Sequence, residues 1–144
     1  MNEIYNRLIE VASDKLYSNE LSDRHDYVIN LVDTELQSKK SPTELDVFKE
    51  VKVALNQYWD MRKRMLTNQV SNDDRKMLSM CIIGLNGKIS FPIEERLKDI
   101  DYKKLSNYEY KLLKDDHLVS LIEISLYMNE SVGWLMEYLL DDTK

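Results

Sequence analysis

The side chains of widest chemical range in this sequence are two histidines, one cysteine and a set of acidic doublets. His25 and His117 stand far apart, match no H-E-x-x-H spacing and have no second cysteine with which to share a metal. Both read as surface or helix-capping residues. Cys81, in Met77-Leu78-Ser79-Met80-Cys81-Ile82-Ile83, has no evident cation to stabilise a thiolate and reads as a small buried hydrophobe. Asp73-Asp74, Glu94-Glu95, Asp115-Asp116 and Asp141-Asp142 are the pairs from which hydrolysis or hard-metal binding would have to be built. Three of these four fall at or near expected helix starts, where the helix dipole favours negative charge and accounts for them without catalysis. There is no G-x-S-x-G elbow, and three Gly leave no glycine-rich loop for a phosphate. The chain therefore reads as a non-enzyme with no cofactor and no metal.

A different kind of chemistry is offered by Arg62-Lys63-Arg64 beside Trp59, with Arg75-Lys76 following after a loop. Cations in the last turns of a helix are stabilising in any protein. The sharper reading is a basic spot flanked by an aromatic, able to contact phosphates or an acidic partner surface.

The elements that would carry these residues are helices. Ile4, Leu8, Val11, Ala12 and Leu16 recur at helical spacing, and so do Tyr27, Val28, Leu31, Val32 and Leu36. Ser22-Asp23 is the expected cap of the second helix, which ends near Gln37. Ser41-Pro42-Thr43-Glu44 combines an N-cap, a first-turn proline and a capping box, and opens a long helix over residues 42–66. Ser71-Asn72-Asp73-Asp74 caps a fourth apolar segment through Leu85. Asn86-Gly87 is read as a helix stop, with a β-hairpin over 80–91 as the alternative, and Pro92 closes that stretch. Short helices are expected over Glu94–Ile100 and, behind the box Ser106-Asn107-Tyr108-Glu109, over Tyr108–Lys114.

No repeat, linker or shift in composition divides the 144 residues, so residues 1–144 read as one helical domain. With 43% hydrophobic residues that domain can build its core without disulfides. The expected fold is all-α: a compact bundle of six to eight helices around the long helix over 42–66. The net charge of -6 disfavours nonspecific attraction to nucleic acid or anionic membranes, but it is too interrupted by Lys and Arg to imitate DNA. The N-terminus lacks a secretory pattern and no stretch is long and apolar enough to span a bilayer, so a cytoplasmic setting is expected. Two Ala beside many Asn, Lys and Ile suggest an AT-rich source such as a low-GC bacterium or its phage.

The segment from Leu121 to Leu140 resembles a helix-turn-helix. Ile124 and Ser125 stand where that motif packs its two helices together, Asn129-Glu130-Ser131 at the turn, and Val132, Leu135 and Tyr138 or Leu139 on the inner face of the second helix. The resemblance implies that Ser131, Gly133, Trp134 and Glu137 would face DNA. The chain departs from the family in its turn, and its second helix offers no Arg or Lys and ends in Asp141-Asp142, a poor match to a phosphate backbone. Trp134, Met136 and Tyr138 suit a protein-docking or dimerisation surface better, unless Trp134 folds back onto the long helix as core.

Three functional readings follow. The first is a non-catalytic regulator or inhibitor, phage or mobile-element encoded, that binds a larger protein, such as part of a nucleic-acid-processing machinery, through Trp59, Arg62, Arg64, Trp134, Met136 and Tyr138. Homodimerisation through an exposed apolar helix face is compatible with it. The second is a helix-turn-helix regulator of transcription. The third is an enzyme with an unrecognised acidic site.

Overall fold

The structure, a computed structural model, describes residues 2–38, 40–65, 70–98 and 116–142. These form five helices: α1 (Asn2–Tyr17), α2 (Leu21–Gln37), α3 (Pro42–Met65), α4 (Asn72–Lys98) and α5 (Asp116–Asp142). The described residues contain no strand, so the all-α class stands and the hairpin over 80–91 does not. The helix expected over Tyr108–Lys114, its capping box, Asp115 and Leu66 lie outside the described residues.

The first three helices follow from local pattern. α1 buries Leu8, Ala12 and Leu16, one residue per turn on one face. Its last carbonyls are satisfied by Ser18 Oγ, which donates to Lys15 at 2.8 Å, and by Asn19 Nδ2, which donates to Lys15 at 3.1 Å and Leu16 at 3.3 Å. α2 begins two residues earlier than its Ser-Asp pair suggests, because Glu20 occupies the N-cap position in place of Ser22 and makes no side-chain cap bond. At the start of α3, Ser41 Oγ accepts the Glu44 amide at 3.2 Å, which is the N-cap half of the expected box, and the Ser41 hydroxyl also donates to the Glu44 carboxylate at 3.2 Å. Ser71 Oγ likewise accepts the Asp74 amide at 3.1 Å and opens α4.

α4 runs unbroken through Asn86-Gly87, where a stop was expected, and through Pro92 to Lys98. Its buried residues Leu78, Ile82, Leu85, Ile89 and Ile93 keep steps of three and four across the glycine, so ending the helix would strip the far half of its core contacts. Asn86 is used across helices instead of as a cap. Its Nδ2 donates to Asn129 Oδ1 at 2.8 Å, and its Oδ1 accepts from Ser125 at 2.7 Å. A glycine in a helix interior costs about 1 kcal/mol and a proline about 3, amounts that the buried far half outweighs. Glu94-Glu95 consequently lie near the end of α4 and not at a helix start.

α5 is likewise one helix, with Asn129-Glu130-Ser131 in its interior, so the helix-turn-helix geometry is not realised. Each of the three supposed turn residues is held in a helical position. Asn129 bonds Asn86, Glu130 pairs with Arg24, and the buried Ser131 hydroxyl donates back to the Tyr127 carbonyl at 2.8 Å.

α5, and not α3, is the centre of the bundle, since it contacts each of the other four helices. Leu118, Val119, Leu121, Ile122, Ile124, Tyr127 and Met128 are all buried, as expected for a helix apolar around its whole circumference. α2 runs antiparallel to α3, with His25 beside Asn56 and Trp59 and Asp33 paired with Lys52. It is also antiparallel to α5, with Arg24 on Glu130, Tyr27 on Glu123 and Glu35 on His117. α3 and α4 are antiparallel too: the end of α3 meets the start of α4 where Arg75 contacts Met65 Sδ at 3.0 Å, and their opposite ends line a cleft of about 580 Å³ between Phe48 and Phe91. Arg75, expected on a basic surface, is buried in that first contact and also donates to Asn72.

Candidate functional site

The densest grouping of functional side chains lies where α2, α3 and α5 meet. His25, expected at the surface, is buried at 4% exposure. Its ring stacks on Trp59 with centroids 5.0 Å apart and planes 6° from parallel. Its Nε2 lies 2.9 Å from Asn56 Oδ1 and its Nδ1 lies 2.8 Å from the Tyr127 hydroxyl. An amide oxygen only accepts, so Nε2 carries the proton and Nδ1 accepts from Tyr127; the imidazole is neutral. Burial, the largest influence, holds the His25 pKa below its ordinary value of 6.5, and Lys63 adds to this; the Asn56 hydrogen bond and Asp26 oppose it. Burial also pushes the Tyr127 phenol well above the usual range. The histidine therefore links three helices, α2, α3 and α5.

Tyr58 carries this cluster outward. It is fully buried, meets Tyr127 edge-on at 5.9 Å and meets Trp134 edge-on at 5.9 Å. Its hydroxyl accepts from Arg62 Nη1 at 2.8 Å. The Arg62 guanidinium lies 5.1 Å from the centre of the Trp134 ring, 5.8 Å from Trp59 and 5.9 Å from Tyr58. Burial raises the Tyr58 pKa, and Arg62 works against that rise. Trp59, Arg62 and Trp134 are each half-buried. Residues from two segments distant in sequence thus converge on one aromatic and cationic surface. Trp134 does fold back onto α3, yet it keeps part of its surface open.

The remaining expected site residues are dispersed. Arg64 is exposed and pairs with Asp60 at 2.9 Å one turn earlier. Met136 is exposed at 48%, and Gly133 and Glu137 are exposed on α5. Ser131, expected to face DNA, is wholly buried. The side chain of Tyr138 lies outside the described residues. Cys81 is exposed, against the expectation of a buried hydrophobe, because α4 turns that face away from the core. His117 is largely exposed as expected, and contacts Glu35 at 3.0 Å. Among the described residues no three His, Cys, Asp or Glu side chains are grouped to hold a metal ion, and no helix is long and apolar enough to cross a membrane.

Sequence reasoning missed His25, Asn56, Tyr58 and Tyr127 as a group. One signal was available: His25 shares the stripe of Val28 and Val32, so a polar ring on an apolar face calls for partners from neighbouring helices. Which helices supply them is set by tertiary packing alone. No protein-family model, no curated protein and no solved structure matches the chain.

Proposed function

We propose that this chain is a non-catalytic interaction protein, a small regulator or inhibitor that occupies a surface of a larger protein. The observation that carries this reading is the convergence of Trp59, Arg62 and Trp134 from α3 and α5 on one half-buried patch. Trp and Arg dominate binding hot spots, and anchors already fixed by packing lose little entropy when a partner covers them. The exposed Lys63 beside Arg62 makes this end of α3 locally cationic in a chain of net charge -6, which favours an acidic partner surface. The cluster's titratable members further in are buried and hydrogen-bonded, which favours a rigid support over a reactive centre.

The test is affinity capture of the tagged chain from a low-GC bacterial lysate treated with nuclease, compared with Arg62→Glu and Trp134→Ala forms. Circular dichroism establishes that each form is folded. A near-stoichiometric protein that survives nuclease and is lost with Arg62→Glu supports the reading. Capture that depends on intact nucleic acid, or a partner retained equally by both folded variants, overturns it.

A further inference from the structure

We infer that α4 is the interface of a two-fold symmetric homodimer, in which its outer face packs antiparallel against the same face of a second copy. The outer face of α4 is apolar although no described element covers it. Met77 and Met80 are each 72% exposed, Phe91 is 62% exposed and the flanking Ile83 is 53% exposed. At 100° per residue, positions 77, 80, 84, 87 and 91 fall on one side of the helix, opposite the buried Leu78, Ile82, Leu85, Ile89 and Ile93. A helix apolar on both sides is ordinarily covered on both.

Three observations select a second copy as the cover. First, the stripe matches itself about Gly84. An antiparallel crossing centred there places Phe91 of one chain on Met77 of the other, an aromatic ring against a thioether. It lays the Lys88 stem over Met80 and sets Cys81 opposite Gly87, with Gly84 on Gly84 at the closest approach. A Cβ built at Gly84 or Gly87 would meet no atom within 4 Å, so the space that a second backbone needs is open. Second, the area suffices. At roughly 200 Å² for a large residue, the exposed parts of Met77, Met80, Ile83, Phe91 and the adjacent Val53 of α3 come to about 600 Å² per protomer, close to the ~800 Å² that each side of a standard interface buries. Third, charge permits it. The chain carries 26 acidic residues, yet none lies between Arg75 and Ile93, so two copies of net charge -6 can meet along the middle of α4 without facing carboxylates, while the same register sets Asp73 and Asp74 opposite Glu95 and Glu94 at its two ends. Repulsion between the rest of the two molecules remains, so added salt strengthens the association.

The experiment is sedimentation velocity of the full chain from micromolar to high micromolar concentration, at low and at moderate salt. The expected species has twice the 17.1 kDa chain mass, and its population rises with concentration and with salt. Met77→Glu places a carboxylate against the Phe91 ring of the second copy and should weaken dimerisation at least about tenfold. Gly84→Leu fills the point of closest approach from an exposed position where the fold has room, so it tests the same contact if the first variant fails to fold. A bis-maleimide reagent should join two wild-type copies through Cys81, the sole cysteine, and should not join Gly84→Leu. A chain that is monomeric under every condition overturns the inference. So does a dimer that persists undiminished in both variants, since it would use another surface.

Discussion

At the scale of single residues, two buried polar groups set how this fold responds to its surroundings. His25 is held neutral, chiefly by burial, so its folded pKa lies below 6.5. The unfolded chain takes up a proton as the pH falls through about 6.5 while the folded chain does not, so His25 lowers stability progressively until its own depressed pKa is passed. His25→Gln removes that titration. The melting temperature of the variant should fall less than that of the parent between about pH 7 and about pH 5, although the variant starts lower at neutral pH. Parallel curves from circular dichroism melts would show that His25 does not titrate in this way. Glu35 is the second such group. Its carboxylate is 2% exposed and accepts from Lys40 at 2.8 Å and from His117 at 3.0 Å. Lys40→Ala leaves that carboxylate buried without its ammonium partner and should cost about 3 kcal/mol, read from the urea midpoint. Replacing both groups, Glu35→Gln with Lys40→Met, should recover most of that loss.

At the scale of elements, α4 shows how tertiary packing overrides local punctuation. Gly84, Gly87 and Pro92 all lie within one helix, where each is unfavourable and none is required by a turn. Gly87→Ala should therefore stabilise the chain by about 0.5–1 kcal/mol, since the added methyl group meets no atom within 4 Å. Pro92→Ala restores an amide hydrogen bond to the Lys88 carbonyl and should stabilise in the same direction. Urea denaturation at low protein concentration checks both. A left-handed Gly87, as in a helix stop or hairpin, would make Gly87→Ala destabilising instead. The two serine caps are the counterpart, elements begun by local chemistry: Ser41→Ala should cost about 1 kcal/mol through the loss of its bond to the Glu44 amide.

At the scale of the whole molecule, the order of stability should follow distance from α5. That helix touches the other four and buries most residues from Leu118 to Met128. Its amides there can exchange only when the bundle opens as a whole. Native-state hydrogen exchange should find them the slowest in the chain, with the exposed end of α3 near Arg64 much faster. Slow exchange confined to α3 would instead make the long helix the organising element. The two proposed surfaces share no residue: the patch is carried by Trp59 and Arg62 of α3 with Trp134 of α5, and the dimer face by α4 with Val53 of α3.

The first three helices were legible in the sequence because their signals are local: a stripe that repeats every three or four residues, and at α3 a serine three residues before a glutamate. Those signals act through hydrogen bonds and side chains within one turn, and nothing distant opposes them. The second half of the chain was decided by contacts that the sequence does not index. Asn86, Gly87 and Pro92 carry turn chemistry, and Asn129-Glu130-Ser131 stands where a helix-turn-helix bends, yet Asn86 bonds Asn129 across two helices and Arg24 pairs with Glu130 from a third. Once those partners are in place, breaking either helix would strip buried apolar residues of their neighbours. The same physics placed the site. Trp59, Arg62 and Trp134 were each visible as residues of suitable type, but only the packing of α5 on α3 brings Trp134 beneath the guanidinium, and only the turn of α4 leaves Met77, Met80 and Phe91 facing outward.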